Sequence, residues 1–161
     1  YKWFHLASVY GLKQAEVTRN LLEKKMTASQ VKEAELLVRR WDPILKLAEK
    51  GDKDAQFKLG LRYELGKGVL KDNQEAAKWY QRAAEKGLAE AQFNLATMYR
   101  EGHGIGKNYL EAYKWFHLAS VYGLKQAEVT RNLLEKKMTA SQLREAQLLV
   151  KAWKPKEKGW F

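Results

Sequence analysis

The sequence predicts an all-α protein, a stack of helix–turn–helix units. Apolar residues recur at helical spacing, a 36-residue period runs through the middle of the chain, and helix formers (Leu, Ala, Lys, Glu) dominate over two prolines, Pro43 and Pro155. Hydrophobic residues make up 45% of the 161, enough for a real core and too many for a disordered chain.

The period is read from registered matches. Gly51, Gly87 and Gly123 align, as do Ala55, Ala91 and Ala127. Phe57 matches Phe93, Leu59 matches Leu95, Tyr63 matches Tyr99, and Trp79 matches Trp115. Gly66 and Gly68 match Gly102 and Gly104, and Ala76 and Ala83 match Ala112 and Ala119. A second period is 112 residues: Tyr1–Gln30 is identical to Tyr113–Gln142, and the match continues to Trp41 and Trp153 with differences only at positions 31, 32, 35, 39 and 40.

In chain order, residues 1–41 read as a truncated repeat helix followed by a degenerate cap unit, the duplicate of 113–153. Asp42-Pro43 suits a new helix start, with Asp as N-cap and Pro at the first helical position. Residues 42–122 read as regular repeats. The first helix of the first complete unit is expected over about 54–65, with Ala55, Leu59 and Tyr63 four apart on one face and Phe57 and Gly60 widening the buried zone. Gly66-Lys67-Gly68 ends it. Asp72 followed by Glu75, and Asn108 followed by Glu111, have capping-box spacing for the second helices. Trp79 and Trp115 stand among alanines and are expected to be buried. One unit cannot bury its own apolar face, so neighbours must stack. Residues 123–153 form a C-terminal cap unit: Arg131 replaces the leucine, Met138 replaces the first loop glycine, and a helix over about 141–153 follows the Thr139/Gln142 box. Residues 154–161 are a basic tail.

The units resemble the Sel1-like repeat, a relative of the tetratricopeptide repeat. The resemblance rests on Ala55-Gln56-Phe57-Lys58-Leu59-Gly60-Leu61-Arg62-Tyr63, Gly66-Lys67-Gly68-Val69 and the stretch from Ala76 to Gly87, repeated through Ala91-Gln92-Phe93-Asn94-Leu95, Tyr99, Gly102-His103-Gly104 and Trp115. It implies a right-handed α–α superhelix whose first helices line a concave surface, and an adaptor or scaffold role in protein complexes. Some secreted members are cross-linked by cysteines within each unit, and this chain has none.

The lack of cysteine removes disulfide frameworks and thiolate metal sites but leaves the compartment open, bacterial periplasmic or secreted as well as cytoplasmic. The chain starts at Tyr1 without a signal-peptide layout and reads as a fragment or processed product. No apolar run approaches a membrane span. Net charge is +11, distributed as +4 over residues 1–41, +1 over 42–112 and +6 over 113–161.

No enzyme and no cofactor are expected, because no nucleophile–base or paired-carboxylate arrangement stands at a defined spacing. His5, His103 and His117 are scattered and do not make a metal site. Gly102-His103-Gly104-Ile105-Gly106-Lys107 has Glu101 and Asn108 where a phosphate-binding loop needs Gly and Ser or Thr, and its glycines recur as a turn in the preceding unit. The lysines cluster outside the regular units, which argues against nucleic acid as the partner and leaves polyanion binding through basic caps as an alternative. The expected partner is a protein or peptide, held on the first-helix face by Lys58, Arg62, Asn94, Met98, Thr130 and Leu134. A further alternative is end-to-end assembly. The helix before Trp115 and Phe116 covers them, whereas no such helix precedes their duplicates Trp3 and Phe4 here, so three outcomes are open for that segment: it frays, it docks on another part of its own chain, or it contacts a second chain through Trp3 and Phe4.

Overall fold

The structure is a computed structural model that describes residues 17–155 except residues 19, 23, 40 and 41, with 35–39 as backbone only. Trp3, Phe4, His5 and Trp160 lie outside the described residues. The helices are α1 (Ala28–Arg39), α2 (Pro43–Glu49), α3 (Lys53–Leu65), α4 (Asn73–Glu85), α5 (Ala89–Glu101), α6 (Tyr109–Val121), α7 (Lys125–Glu135) and α8 (Ala140–Ala152). No strand occurs among the described residues. Each of α2 to α6 packs on the next, and α8 docks on α6, so the chain is an α-solenoid.

Local chemistry accounts for most helix ends. Asp42 accepts from the Ile44 and Leu45 amides, with Pro43 at the first helical position of α2. Asp52 caps α3 through the Ala55 amide. Asp72 and Asn108 cap α4 and α6 through the second and third amides of each helix. The reciprocal half of the box, expected from Glu75 and Glu111, is replaced: Glu75 pairs with Lys78 at 2.5 Å, and Glu111 takes Lys114 at 2.6 Å and the Trp115 indole N–H at 3.1 Å. Both halves are present at Thr139/Gln142 and in the duplicate Thr27/Gln30. Gly66 and Gly102 close α3 and α5 in the left-handed region, at φ 68° and 80°.

One core runs from α4 to α8, continued by a smaller cluster of Leu45, Ala48, Ala55, Leu59 and Trp79. Small residues set the spacing. A methyl group on Gly60 would come within 2.6 Å of the Tyr80 ring. Trp79 and Trp115 are buried as expected, at 7% and 3% exposure, with Arg82 and Lys114 stacked on them. Successive units are stitched by a repeated side chain: Gln56 Nε2 donates to Ala48 O and Gln92 Nε2 to Ala84 O, both at 3.0 Å. In the cap, Trp153 meets Trp115 and Tyr122 edge-on, each at 6.2 Å, which anchors the end of α8.

Candidate partner-binding face

The first helices α3, α5 and α7 each bury one stripe and present another. The buried stripe is Ala55, Leu59 and Arg62 in α3, Ala91, Leu95 and Met98 in α5, and Ala127 and Leu134 in α7. These positions follow the i, i+4, i+7 spacing of a core-facing helix. Three of the residues expected on the outward face therefore lie inside. Met98 is 3% exposed and Leu134 1%, each three or seven residues beyond a core residue of its own helix. Arg62 shares their register and is 9% exposed; its guanidinium pairs with Asp42 at 2.5 Å. The register of Ala55 and Leu59, and of Ala91 and Leu95, carries Arg62 and Met98 inward, because Tyr63 and Tyr99 lie at the edge of the buried zone rather than at its centre.

The other three stay at the surface. Lys58 is exposed. Asn94 is half-buried within hydrogen-bonding reach of Tyr80, and the Thr130 hydroxyl donates to Gln126 O. They mark one flank of the presented stripe.

That stripe comprises Phe57, Leu61 and Glu64 in α3, Phe93, Thr97 and Arg100 in α5, and Val129, Leu133 and Lys136 on α7 and its C-cap. Phe57 and Phe93 are half-buried against Tyr80 and Phe116, with ring centroids 5.7 and 5.3 Å apart. Val129 and Leu133 are open, at 62% and 57% exposure. The result is an apolar ladder, one rung per unit, with Lys58, Asn94 and Thr130 along one side. Its signal in the sequence is the recurrence of Phe57 and Phe93 half a turn away from the Ala55–Leu59 stripe.

Fixed polar contacts brace the ladder from beneath. The Tyr80 hydroxyl donates to Glu64 at 2.5 Å, and burial together with that carboxylate holds the phenol well above its ordinary pKa. One unit later, Arg100 lies 5.7 Å from the centre of the Phe116 ring. In the cap, Arg131 donates to His117 Nδ1 at 3.3 Å and lies 3.6 Å from Glu135, so the arginine that replaces the core leucine is neutralised inside the unit. Burial and Arg131 push His117 below its usual pKa.

On the second-helix side a cleft of about 360 Å³ is lined by Glu85, Tyr99, Glu111, Lys114, Trp115 and Trp153. Glu111 is already engaged there by Lys114 and Trp115. Among the described residues no group of His, Cys, Asp or Glu is placed to hold a metal ion, and no helix is long and apolar enough to cross a membrane. His103 sits in its exposed loop 3.2 Å from Glu101.

Comparison with known proteins agrees with this architecture. The Sel1 repeat model matches residues 53–88 and 89–120. No curated protein sequence matches the chain. Among solved structures, c5321, a protective antigen present in uropathogenic Escherichia coli strains and displaying an SLR fold, is 36% identical with a TM-score of 0.67, over 94% of this chain and 32% of that one. A Sel1 repeat protein from Oxalobacter formigenes is 34% identical with a TM-score of 0.58, over 71% of this chain and 53% of that one. The chain thus spans about a third of the length of the first relative and about half of the second. Sel1 repeats generally serve as protein–protein interaction scaffolds and are typically non-enzymatic. Residues 53–120 thus hold two Sel1 repeats, and the chain has the tetratricopeptide-like α-solenoid fold of its Sel1-repeat structural neighbours.

Proposed function

We propose that the protein is a non-catalytic scaffold that holds a protein or peptide across its first-helix face. One observation carries the reading: the apolar ladder Phe57, Phe93 and Val129, reinforced by Leu61 and Leu133, stays partly open to solvent in successive units. Core formation does not require Val129 and Leu133, which are more than half exposed. Exposed apolar groups in register, flanked by the hydrogen-bonding Lys58, Asn94 and Thr130, suit an extended or helical peptide that inserts a side chain at each rung. The rigid, mutually stacked helices lower the ordering cost of such binding.

The test is capture of interacting proteins by the wild-type chain and by a variant carrying Val129→Asp and Leu133→Asp, quantified by mass spectrometry. Both sites are exposed, so the variant should keep its fold, verified by circular dichroism. Loss of specific captured proteins supports the reading; an unchanged set refutes it.

A further inference from the structure

We infer that the C-terminal cap is a proton-sensitive latch: a proton on His117 sets it against Arg131 and lets α7 and α8 come away from α6. Its bearing on function rests on the first-helix face being the docking face. Opening then takes Val129 and Leu133 off the ladder, so acid releases the partner.

Four residues that meet in the cap depart from the regular unit together. Tyr113, His117, Arg131 and Glu135 stand where the preceding unit has Ala77, Gln81, Leu95 and Tyr99. Arg131 Nη1 lies 3.3 Å from His117 Nδ1. A guanidinium only donates, so Nδ1 is the unprotonated, accepting nitrogen. A proton there removes the bond and leaves two cations face to face. The contact therefore exists only with a neutral imidazole. Arg131 is loosely held otherwise. Its Nε is buried without a hydrogen bond among the described residues, with Glu135 at 3.6 Å.

The groups around the imidazole oppose the proton in sum. Burial and Arg131 act against it, and Glu135, also on α7, acts for it more weakly. Tyr113 of α6 stacks on the ring, with centroids 6.3 Å apart. The Tyr113 hydroxyl is hydrogen-bonded to Glu135 and to the neutral Gln147 of α8. On α5, Arg100 lies over the Phe116 ring and pairs with Glu101. His117 is half-buried, so a proton reaches it without prior unfolding.

The cap is thinly anchored, which makes a single proton count. α5 and α6 bury five and six residues, whereas α7 buries Ala127 and Leu134 and α8 buries Ala146. The half-buried Trp153 adds an aromatic anchor. Elements with few buried contacts open locally at low cost. The open cap takes its proton near the ordinary histidine value of 6.5 and the closed cap resists it, so opening grows as pH falls below that value. One group shifts the equilibrium by at most about tenfold per pH unit.

The experiment is amide hydrogen exchange of the full chain, read by mass spectrometry at about pH 7.5 and 5.5. Rates are expressed as protection factors, which cancels the intrinsic pH dependence of exchange. In wild type, α7 and α8 should lose at least about threefold in protection at the lower pH while α4 and α5 keep theirs. His117→Gln, which installs the residue found at Gln81 one unit earlier, should abolish that loss. Arg131→Leu, which restores the residue found at Leu95, should reduce it. Equal loss in wild type and His117→Gln, no loss in wild type, or a loss spread evenly from α3 to α8 overturns the latch. Elution separates the latch from the docking face: proteins captured at the higher pH are washed at the lower. Release from wild type and retention by His117→Gln supports both. Cap opening without release upholds the latch and counts against the docking face. A cap that stays closed, with capture still lost in Val129→Asp with Leu133→Asp, overturns the latch and leaves the docking face standing.

Discussion

Arg62 occupies the register that Met98 and Leu134 fill with apolar side chains, and it is held there by Asp42, which also caps α2. A buried pair of this kind offsets its own desolvation cost only while both partners remain. Asp42→Ala should therefore cost about 3–5 kcal/mol, since it strands a buried guanidinium and removes a cap. Asp42→Asn combined with Arg62→Met keeps the cap and restores the apolar register, and should lie within about 1 kcal/mol of wild type. Urea denaturation of the two variants checks the contrast. Gly104 is a second residue with a single physical reason. Its φ is +73°, and a methyl group there would meet Asn73 O at 2.3 Å, where the loop after α5 lies on the start of α4. Gly104→Ala should cost more than about 2 kcal/mol, from left-handed strain and a backbone clash together.

At the scale of the element, helix ends and buried aromatics were legible in the sequence because their causes are local. Asp42-Pro43 and Thr139 cap as their spacing predicts, Asp72 and Asn108 cap without the reciprocal glutamate bond, and the alanines around Trp79 and Trp115 mark burial. Trp115→Ala should cost about 3–5 kcal/mol and Thr139→Ala about 1 kcal/mol, both readable by thermal or urea unfolding. Helix rotation was less legible. Deciding whether Arg62, Met98 and Leu134 face in or out requires knowing which helices pack on α3, α5 and α7, and that information is not local. The counter-charge that lets Arg62 lie inside sits 20 residues away at Asp42. Phe57 and Phe93 pack on the core as their recurrence predicts, against Tyr80 and Phe116, and keep an edge at the surface.

Across the whole molecule, repetition does two kinds of work. The 36-residue period builds the solenoid and aligns the ladder; the 112-residue duplication repeats the exposed Val129 and Leu133 as the exposed Val17 and Leu21. The cap also introduces a titratable element. His117 is held below its usual pKa, first by burial and then by Arg131. The unfolded chain therefore takes up a proton that the folded chain resists. This contribution to stability is complete above the unfolded-state value near 6.5 and declines as pH falls below it. Thermal melts at about pH 7.5 and 5.5 should show a larger loss for wild type than for His117→Gln, whose difference from wild type removes the carboxylate background common to both. An equal loss in the two proteins would contradict the burial of that imidazole.

The claim that the first-helix face is where this protein works can be tested at single positions. A photo-crosslinking amino acid is placed at Leu133 on that face and, separately, at Val121, which is 67% exposed at the end of the second helix α6. Both chains are irradiated in lysate of the organism that carries the protein. Discrete protein adducts at position 133, and none of the same adducts at 121, are predicted. The same adducts at both positions, or adducts at 121 alone, would contradict a partner held on the first-helix ladder.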